Sequence, residues 1–210
     1  MELRRLGKFL RNMVTKEEEK GEYSSGYWPA KIRKTVLDII SKKGKLLEVG
    51  CGEGLFLDAL NKIAPDMELY GIDNWEEMLG KAEKRLKGKN VKLTLANGTK
   101  LPFLDNSFDT IICVNVLLNL PGLEVASKML KEMSRVCNLD GSIVFEIRNK
   151  LSPLFKIQYK MAKYLDPDLK APLSTYNIRD IRSLVKIKKI HYIGFPRNKL
   201  VPIMVIEAGK

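Results

Sequence analysis

The chain has 210 residues, of which 45% are hydrophobic and 30% are charged, and its formal net charge is +12. This length and composition suit one α/β domain with a full hydrophobic core, and no apolar run approaches the roughly 20 residues that a membrane span needs. The N-terminus has no continuous apolar stretch followed by a small-residue cleavage site, so we expect a cytoplasmic protein.

The predicted elements begin with helices. Apolar residues at helical spacing predict one helix within residues 3–13 and a second that begins after Pro29 and ends at Gly44. From residue 45 to residue 147, five apolar or β-branched runs alternate with three helical patterns, which is typical of βαβ units around a parallel sheet. The predicted strands are 45–49, 67–72, 91–95, 109–114 and 142–147, and the predicted crossover helices are 55–63, 75–86 and 123–136.

The last third of the chain predicts an insertion followed by two more strands. Residues 151–168 are predicted to form an apolar and basic helical stretch, and Ser174 is expected to mark the cap region of a helix through 178–184. Strands around 187–193 and 201–206 follow, joined by a connection short enough for a hairpin. The sheet is therefore expected to have seven strands with one antiparallel pair.

The positive charge lies in the two flanks. Residues 1–43 carry a net charge of +5, residues 44–147 carry −3 and residues 148–210 carry +10. Basic flanks indicate an anionic partner, but a lysine-rich solvated surface accounts for the same counts equally well. The three cysteines are widely spaced and there is a single histidine, His191, so the sequence has no disulfide or metal framework and predicts no metal site.

The strongest local motif is the end of the first strand, where Gly50, Gly52 and Gly54 alternate just before a helix. Glycine is needed where a ligand lies against the backbone or where φ is positive. The third position of the dinucleotide fingerprint is Leu55, which disfavours a nicotinamide cofactor. Glu48 would repel a pyrophosphate but suits a ligand with an ammonium group and a sulfonium centre. A glycine-rich turn without a ligand is the alternative.

A carboxylate follows at the end of the second strand. Asp73 lies about twenty residues past the glycine loop, where it can accept two hydrogen bonds from a ribose diol. An aspartate here can also cap the helix that starts near Trp75, and it can do both.

In these stretches the sequence resembles the class I S-adenosylmethionine-dependent methyltransferases, and within them the type 11 group that includes quinone-biosynthesis methyltransferases. Four stretches match in order, namely Leu47–Gly54, Tyr70–Leu79, Leu101–Asp109 and Glu132–Ser142. The resemblance implies a Rossmann-like sheet of order 3-2-1-4-5-7-6, with strand 7 antiparallel and helices on both faces. It also implies S-adenosylmethionine as the cofactor.

Two departures from the family pattern concern Asn97 and the turn before strand five. Family members usually carry an acid at the position of Asn97, where it accepts a hydrogen bond from the adenine amino group; the Asn carbonyl oxygen can still accept. The turn commonly reads Lys-Pro-Gly-Gly, whereas this chain has the residues 138–141, Asn-Leu-Asp-Gly. Asn115, after strand four, corresponds to the segment that lines the methionine end of the cofactor, although it can also be an ordinary strand-end residue.

The motif and the resemblance together give a set of predicted cofactor contacts. They are Glu48, Gly50, Cys51, Gly52, Gly54, Asp73, Asn74, Asn97, Gly98, Asn115, Val116 and Tyr27. Tyr27 belongs to a segment that folds over the cofactor in similar enzymes, and a packing anchor is an equally open interpretation. We expect one methyltransferase domain over 1–210, with a helical cap or lid in 1–43, the cofactor-binding core in 44–147, a substrate-lid insertion in 148–185 and closing strands in 186–210.

Methyl transfer from a sulfonium mainly requires alignment and exclusion of water, so a dedicated catalytic residue is not obligatory. Glu146 and Arg148, just at the end of strand five, are candidates for a base or a substrate contact, and strand-end surface residues are the alternative. Three functions stay open. The first is methylation of a small-molecule or lipid-linked, anionic acceptor; the second is RNA methylation by the basic flanks; the third is a non-catalytic module that binds the cofactor or a partner.

Overall fold

The computed structural model describes residues 27–154, 174–195 and 198–210. The helix predicted within residues 3–13 and most of the predicted insertion at 151–168 lie outside the described residues. Seven strands form one sheet. They are β1 (Lys45–Val49), β2 (Glu68–Asp73), β3 (Val91–Leu95), β4 (Phe108–Cys113), β5 (Cys137–Arg148), β6 (Lys186–Ile193) and β7 (Ile203–Gly209).

The order of the sheet is β3-β2-β1-β4-β5-β7-β6. Neighbouring strands are parallel from β3 to β5, and β7 runs antiparallel to both β5 and β6. The predicted strand order and the antiparallel direction of strand 7 are therefore confirmed, but β7 forms two antiparallel pairs and not one. Because Arg148 pairs with Ile203, and Ile203 pairs with Ile193, the connection from β6 to β7 lies at the same edge as the carboxyl ends of the parallel strands.

Helices cover both faces of the sheet. They are α1 (Tyr27–Ile39), α2 (Leu55–Ile63), α3 (Glu76–Arg85), α4 (Leu123–Val136) and the short α5 (Ile178–Arg182). One face packs against α4 and α5, and the opposite face packs against α1, α2 and α3. The strand β1 contributes Leu47 to the first core and Leu46 to the second, and both are fully buried. Burial on both faces explains why this strand is an apolar run without alternation.

Two predicted helix boundaries were wrong. Helix α1 ends at Ile39, not at Gly44, because Lys42 donates its ammonium hydrogens to the carbonyl oxygens of Leu37 and Ile40 at the end of the helix. Gly44 has a φ of +81° and leads directly into β1. Ser174 does not cap a helix: its hydroxyl donates to the carbonyl oxygen of Leu120.

The cap of α5 is Asn177, whose side-chain oxygen accepts from the backbone N–H of Arg179 at 3.0 Å. The last central strand also differs from its prediction, since β5 begins at Cys137 and includes the predicted turn at 138–141. The register between β4 and β5 shifts there, between the pair Phe108–Cys137 and the pair Thr110–Ser142. The extra residues of β5 form an irregularity within the strand rather than a separate turn.

The chain after β5 is joined to the β6–β7 connection by Asn149, which is 1% exposed. Its side-chain amide donates to the carbonyl oxygens of Lys199 at 2.9 Å and Val201 at 2.8 Å, and its backbone N–H donates to that of Pro202 at 2.9 Å. A buried side-chain amide that is fully used in this way fixes the two segments together.

Candidate active site

The glycine loop between β1 and α2 has a backbone conformation that residues with a Cβ atom rarely adopt. Gly50, Gly52 and Gly54 have φ angles of +78°, +50° and +74°. A Cβ on Gly50 would lie 2.3 Å from a methyl carbon of Val116. The backbone N–H groups of Gly50 and Cys51 donate to the carbonyl oxygen of Ile72 at 2.8 and 2.9 Å, which ties the loop to the end of β2. The prediction that glycine is required here is therefore confirmed on steric grounds.

Asp73 connects the glycine loop to the start of α3. One carboxylate oxygen accepts from the backbone N–H of Gly52 at 2.8 Å, and the other accepts from that of Trp75 at 2.9 Å. The predicted capping role is not observed, because Trp75 is the N-cap residue of α3 and Asp73 accepts from the N–H of that residue and not from an N–H of the first helical turn. A carboxylate has about four acceptor sites, so each oxygen retains one for a further donor such as a ribose hydroxyl.

A cleft of about 1340 Å³ runs along the carboxyl edge of the sheet. Nine of the predicted cofactor contacts line it: Tyr27, Gly50, Gly52, Asp73, Asn74, Asn97, Gly98, Asn115 and Val116. Pockets for a single small ligand usually measure about 300–1,000 Å³. The cleft is therefore large enough to hold a cofactor together with a second molecule.

Cys51 and Gly54 do not line this cleft. The Cys51 thiol is buried near Gly71, and burial raises its pKa, so this thiol is neither a ligand contact nor a nucleophile. Gly54 is the left-handed N-cap of α2, and a Cβ there would lie 2.9 Å from a methyl carbon of Leu86. Close packing of the loop against α3 accounts for the glycine at position 54.

Glu48 also lies behind the loop rather than in the cleft lining, and it is 3% exposed. Burial raises the pKa of its carboxyl well above the ordinary value, the guanidinium of Arg33 lowers it and the carboxylate of Asp73 raises it. Its Oε2 atom accepts no hydrogen bond within the described part of the chain. This buried oxygen is suited to accept a hydrogen bond from a cationic group of a ligand that binds at the glycine loop.

Asn97 lines the cleft, but its side-chain oxygen already has two donors. The backbone N–H and the hydroxyl of Thr99 donate to it at 2.9 and 2.8 Å. A carbonyl oxygen has two lone pairs, so the oxygen that the sequence assigned to the adenine amino group is fully used within its own loop.

Asn115 is held in an uncommon backbone conformation at the end of β4, with a φ of +58°. Its N–H donates to the Oε2 atom of Glu146 at 2.8 Å, and its carbonyl oxygen accepts from the side chain of Asn119 at 3.0 Å. Its side-chain oxygen accepts from the guanidinium of Arg148 at 3.3 Å. Neighbouring groups therefore hold both the backbone and the side chain of Asn115 in position.

Glu146 and Arg148 occupy different positions relative to the cleft. Arg148 lines it and is 7% exposed, whereas Glu146 is fully buried behind Asn115 and does not line it. Burial raises the pKa of Glu146 to about 7, and the nearby guanidinium of Arg148 and the N–H of Asn115 act against this rise. Glu146 is thus placed to orient other groups and not to contact a ligand, while Arg148 can do so.

The sequence did not predict several residues of the cleft wall. Trp75 lines it beside Asp73, and Val125, Lys128 and Met129 line it from the first turns of α4. The sequence offered little indication of this role, because the helical periodicity of Val125 and Met129 also marks the core face of α4 and does not distinguish the two positions.

Within the described part of the chain, no helix is long and apolar enough to cross a membrane. No group of three or more His, Cys, Asp or Glu side chains among the same residues could hold a metal ion. His191 forms a pair with Glu207 of the adjacent strand β7, outside the cleft.

Comparison with solved structures gives the class of the fold. A Pyrococcus horikoshii protein superposes with a TM-score of 0.71 at 16% identity, over 100% of this chain and 98% of that one. Magnesium protoporphyrin IX methyltransferase from Synechocystis, crystallised with bound S-adenosylhomocysteine, superposes with a TM-score of 0.68 at 19% identity, over 98% and 94% of the two chains. The fold is that of the Rossmann-like, S-adenosylmethionine-dependent methyltransferases.

Comparison of sequences gives the family. Residues 47–145 match the family model described as a methyltransferase domain. The demethylmenaquinone methyltransferase of Staphylococcus aureus is 38% identical over 157 residues, which are 72% of this chain and 60% of that protein. The chain thus spans about 60% of the length of the curated relatives that it matches. Residues 47–145 of this chain are thus similar to a methyltransferase domain.

Proposed function

We propose that the protein binds S-adenosylmethionine along the carboxyl edge of β1, β2 and β4 and methylates a small acceptor of the quinone type in its reduced, hydroxylated form. The observation that carries this proposal is the continuous cleft from Asn97 and Asp73, across the glycine loop, to Arg148 at the end of β5. Its volume of about 1340 Å³ exceeds what one ligand needs.

The residues present fit the cofactor. Gly50 and Gly52 let a ligand approach the backbone, and Asp73 keeps acceptor capacity for a ribose diol. The buried and unpartnered Oε2 atom of Glu48 suits an ammonium group. When bound, S-adenosylmethionine supplies an electrophilic methyl group, and the protein residues align the reactants and exclude water.

The acceptor class is supported by the relative from Staphylococcus aureus, whose name states demethylmenaquinone as its substrate. An electrophilic methyl group needs an electron-rich acceptor, which a reduced, dihydroxylated ring provides and an oxidised quinone does not. Beyond the glycine loop, the cleft is lined by apolar side chains such as Leu118, Leu120 and Pro121, which suit a ring system.

The experiment has a binding arm and a transfer arm. Calorimetric titration with S-adenosylhomocysteine is expected to show binding to the wild type, a loss of at least tenfold in affinity for Asp73→Ala, and no change for Asp140→Ala. Asp140 is an exposed residue of β5 at the opposite edge of the sheet. No heat of binding for the wild type would contradict the cofactor assignment.

In the transfer arm, a short-chain demethylmenaquinone kept reduced with dithionite is incubated with S-adenosylmethionine and analysed by mass spectrometry. A mass increase that corresponds to the replacement of one hydrogen by a methyl group supports the proposal. Bound cofactor without transfer to this acceptor would overturn the acceptor class alone.

RNA is the second candidate acceptor, because residues 148–210 carry a net charge of +10. Some of the described basic side chains of this region lie at the amino edge of the sheet, on the side away from the cleft. Lys188 donates to the carbonyl oxygen of Gly141, and Lys210 donates to that of Cys137. RNA bound to those lysines would not reach the cleft, and for this reason we favour the small acceptor. Transfer of labelled methyl groups to total RNA would reverse this preference.

A further inference from the structure

We propose that the carboxyl end of β5 is an oxyanion-binding subsite for the acceptor, in which Arg148 binds an ionised oxygen while Glu146 and Asn115 hold the guanidinium in place. The inference rests on the proposed function and names the charge that the acceptor presents: a phenolate, an enolate or a carboxylate.

The order of the strands places this subsite on the acceptor side of the cleft. Asp73 ends β2 and the glycine loop follows β1, whereas Arg148 ends β5. Neighbouring strands lie about 4.8 Å apart, so Arg148 is about 10 Å from the glycine-loop strand and about 14 Å from the strand of Asp73. A cofactor whose ribose contacts Asp73 and whose sulfonium end lies near Asn115 leaves Arg148 to the second ligand.

The subsite is built from buried groups. Arg148 is 7% exposed, it lines the cleft, and it donates to the side-chain oxygen of Asn115 at 3.3 Å. The N–H of Asn115 in turn donates to Glu146 at 2.8 Å, and this bond holds Asn115 at its φ of +58°. A rigid chain from Glu146 through Asn115 to Arg148 orients a planar guanidinium, which matches the geometry of an oxyanion.

The charge in this part of the cleft is positive. Among the described lining residues the charged side chains are Asp73, Lys128 and Arg148, and Asp73 lies three strands away. Lys128 is 60% exposed and forms an ion pair with Glu124, so its charge is largely screened. The guanidinium of Arg148 stays protonated and sits in a poorly solvated site, where it stabilises a bound anion more strongly than it could in water.

Glu146 positions Asn115 and Arg148, and its ionisation changes the net charge of the subsite. It is fully buried and its Oε1 atom accepts no hydrogen bond in the described part of the chain. Because burial raises its pKa to about 7, the carboxyl is neutral in a large fraction of molecules at neutral pH and then contributes no negative charge beside Arg148. Cys113 of β4 and Tyr176 also face this carboxyl, and both thiol and phenol are neutral in this pH range.

The test compares benzoate with benzamide, which have the same ring and differ in charge. Each is titrated into the protein saturated with S-adenosylhomocysteine, with the fluorescence of Trp28 and Trp75 in the cleft wall as the signal. We expect benzoate to bind at least tenfold more tightly than benzamide. Arg148→Met should abolish the preference, Arg148→Lys should keep part of it, and Lys150→Met, an exposed neighbour outside the cleft lining, should keep all of it.

Three results would overturn the inference. These are equal binding of benzoate and benzamide to the wild type, a preference that persists in Arg148→Met, and a loss of S-adenosylhomocysteine affinity in Arg148→Met that matches its loss of benzoate affinity. The last result would assign the guanidinium to the carboxylate of the cofactor. Because S-adenosylhomocysteine has no methyl group to transfer, these outcomes do not depend on whether reduced demethylmenaquinone is methylated.

The role of Glu146 has its own readout. In the wild type, the preference for benzoate should decline from about pH 6 to about pH 8, as Glu146 ionises and compensates the guanidinium. In Glu146→Gln, which keeps the shape of the side chain and its acceptor for Asn115, the preference should stay constant over this range. A profile that is the same in both proteins would exclude the positioning role.

Discussion

At the β1–β2 end of the cleft the positions of the groups are set mainly by the backbone, whereas at the β5 end they are set by buried side chains. The glycine loop is fixed by its positive φ angles and by N–H groups that donate to Ile72 and Asp73. The β5 end depends on the contacts of Asn115 with Glu146 and Arg148. Because the two ends share few side chains, the charge at the β5 end can change while the glycine-loop end keeps its ligand.

The largest expected effect is at the backbone end. Gly50→Ala should reduce S-adenosylhomocysteine affinity by at least a hundredfold, because the new Cβ would lie 2.3 Å from Val116 and would force the loop apart. Gly88→Ala is a matched control, since Gly88 has the same φ of +78° but no atom within 4 Å of the added carbon. The control should lose about 1–2 kcal/mol of stability and keep its affinity. Calorimetry and thermal unfolding measure both, and equal affinities in the two variants would contradict this account.

The next effect concerns the buried carboxyl at the side-chain end. The folded-state pKa of Glu146, about 7, lies above its ordinary value, so its contribution to stability is fully present below the unfolded pKa and is lost as the pH rises through about 7. The free energy of unfolding of the wild type should therefore fall by about 3 kcal/mol between about pH 4 and about pH 8. Glu146→Gln should not show this decrease. Urea unfolding at a series of pH values gives the difference, and parallel curves would refute it.

A smaller effect should distinguish the two ends directly. The hydroxyl of Tyr176 donates to the carbonyl oxygen of Leu117, in the turn that follows Asn115, at 2.7 Å. Tyr176→Phe removes this buried hydrogen bond and should cost about 1–2 kcal/mol of unfolding free energy. It should leave the affinity for S-adenosylhomocysteine within twofold, because the glycine loop is untouched. Tyr192→Phe, at a side chain that is 42% exposed, should change neither quantity.

The smallest effect tests whether the charge of Glu48, which lies behind the glycine loop, contributes to cofactor binding. Glu48→Gln should weaken the binding of S-adenosylmethionine by several-fold, since a carboxyl group can ionise beside an approaching ammonium group whereas an amide stays neutral. The variant should fold at least as well as wild type at neutral pH, because burial already disfavours the charged form of Glu48. Tighter cofactor binding in Glu48→Gln would show that the carboxylate does not attract the ammonium group.

The sequence predicted the backbone end more completely than the side-chain end. Alternating glycines after an apolar strand predict a positive-φ loop, and an acid after the next strand predicts Asp73, because parallel strands bring these residues to one edge. The sequence could not show that the Asn97 oxygen is used by Thr99, or that Cys51 points into the core. Those facts depend on side-chain direction, which residue spacing does not determine.

The contact of Arg148 with Asn115 could not be predicted for a related reason. The two residues are 33 positions apart, and they meet only because the order of the sheet makes β4 and β5 neighbours. The errors at Gly44, Ser174 and residues 138–141 concern the boundaries of elements. The hydrogen bonds of Lys42, the tertiary hydrogen bond of Ser174 and the register between β4 and β5 decided these boundaries, against the preference of the local sequence.

The antiparallel strand β7 brings the β6–β7 connection to the edge that carries the cleft, and Asn149 fastens this connection beside Arg148. The strands on both sides of the connection are held in register by their ladders. The C-terminal hairpin therefore stabilises the backbone next to Arg148 from the side of β5 that is opposite to β4.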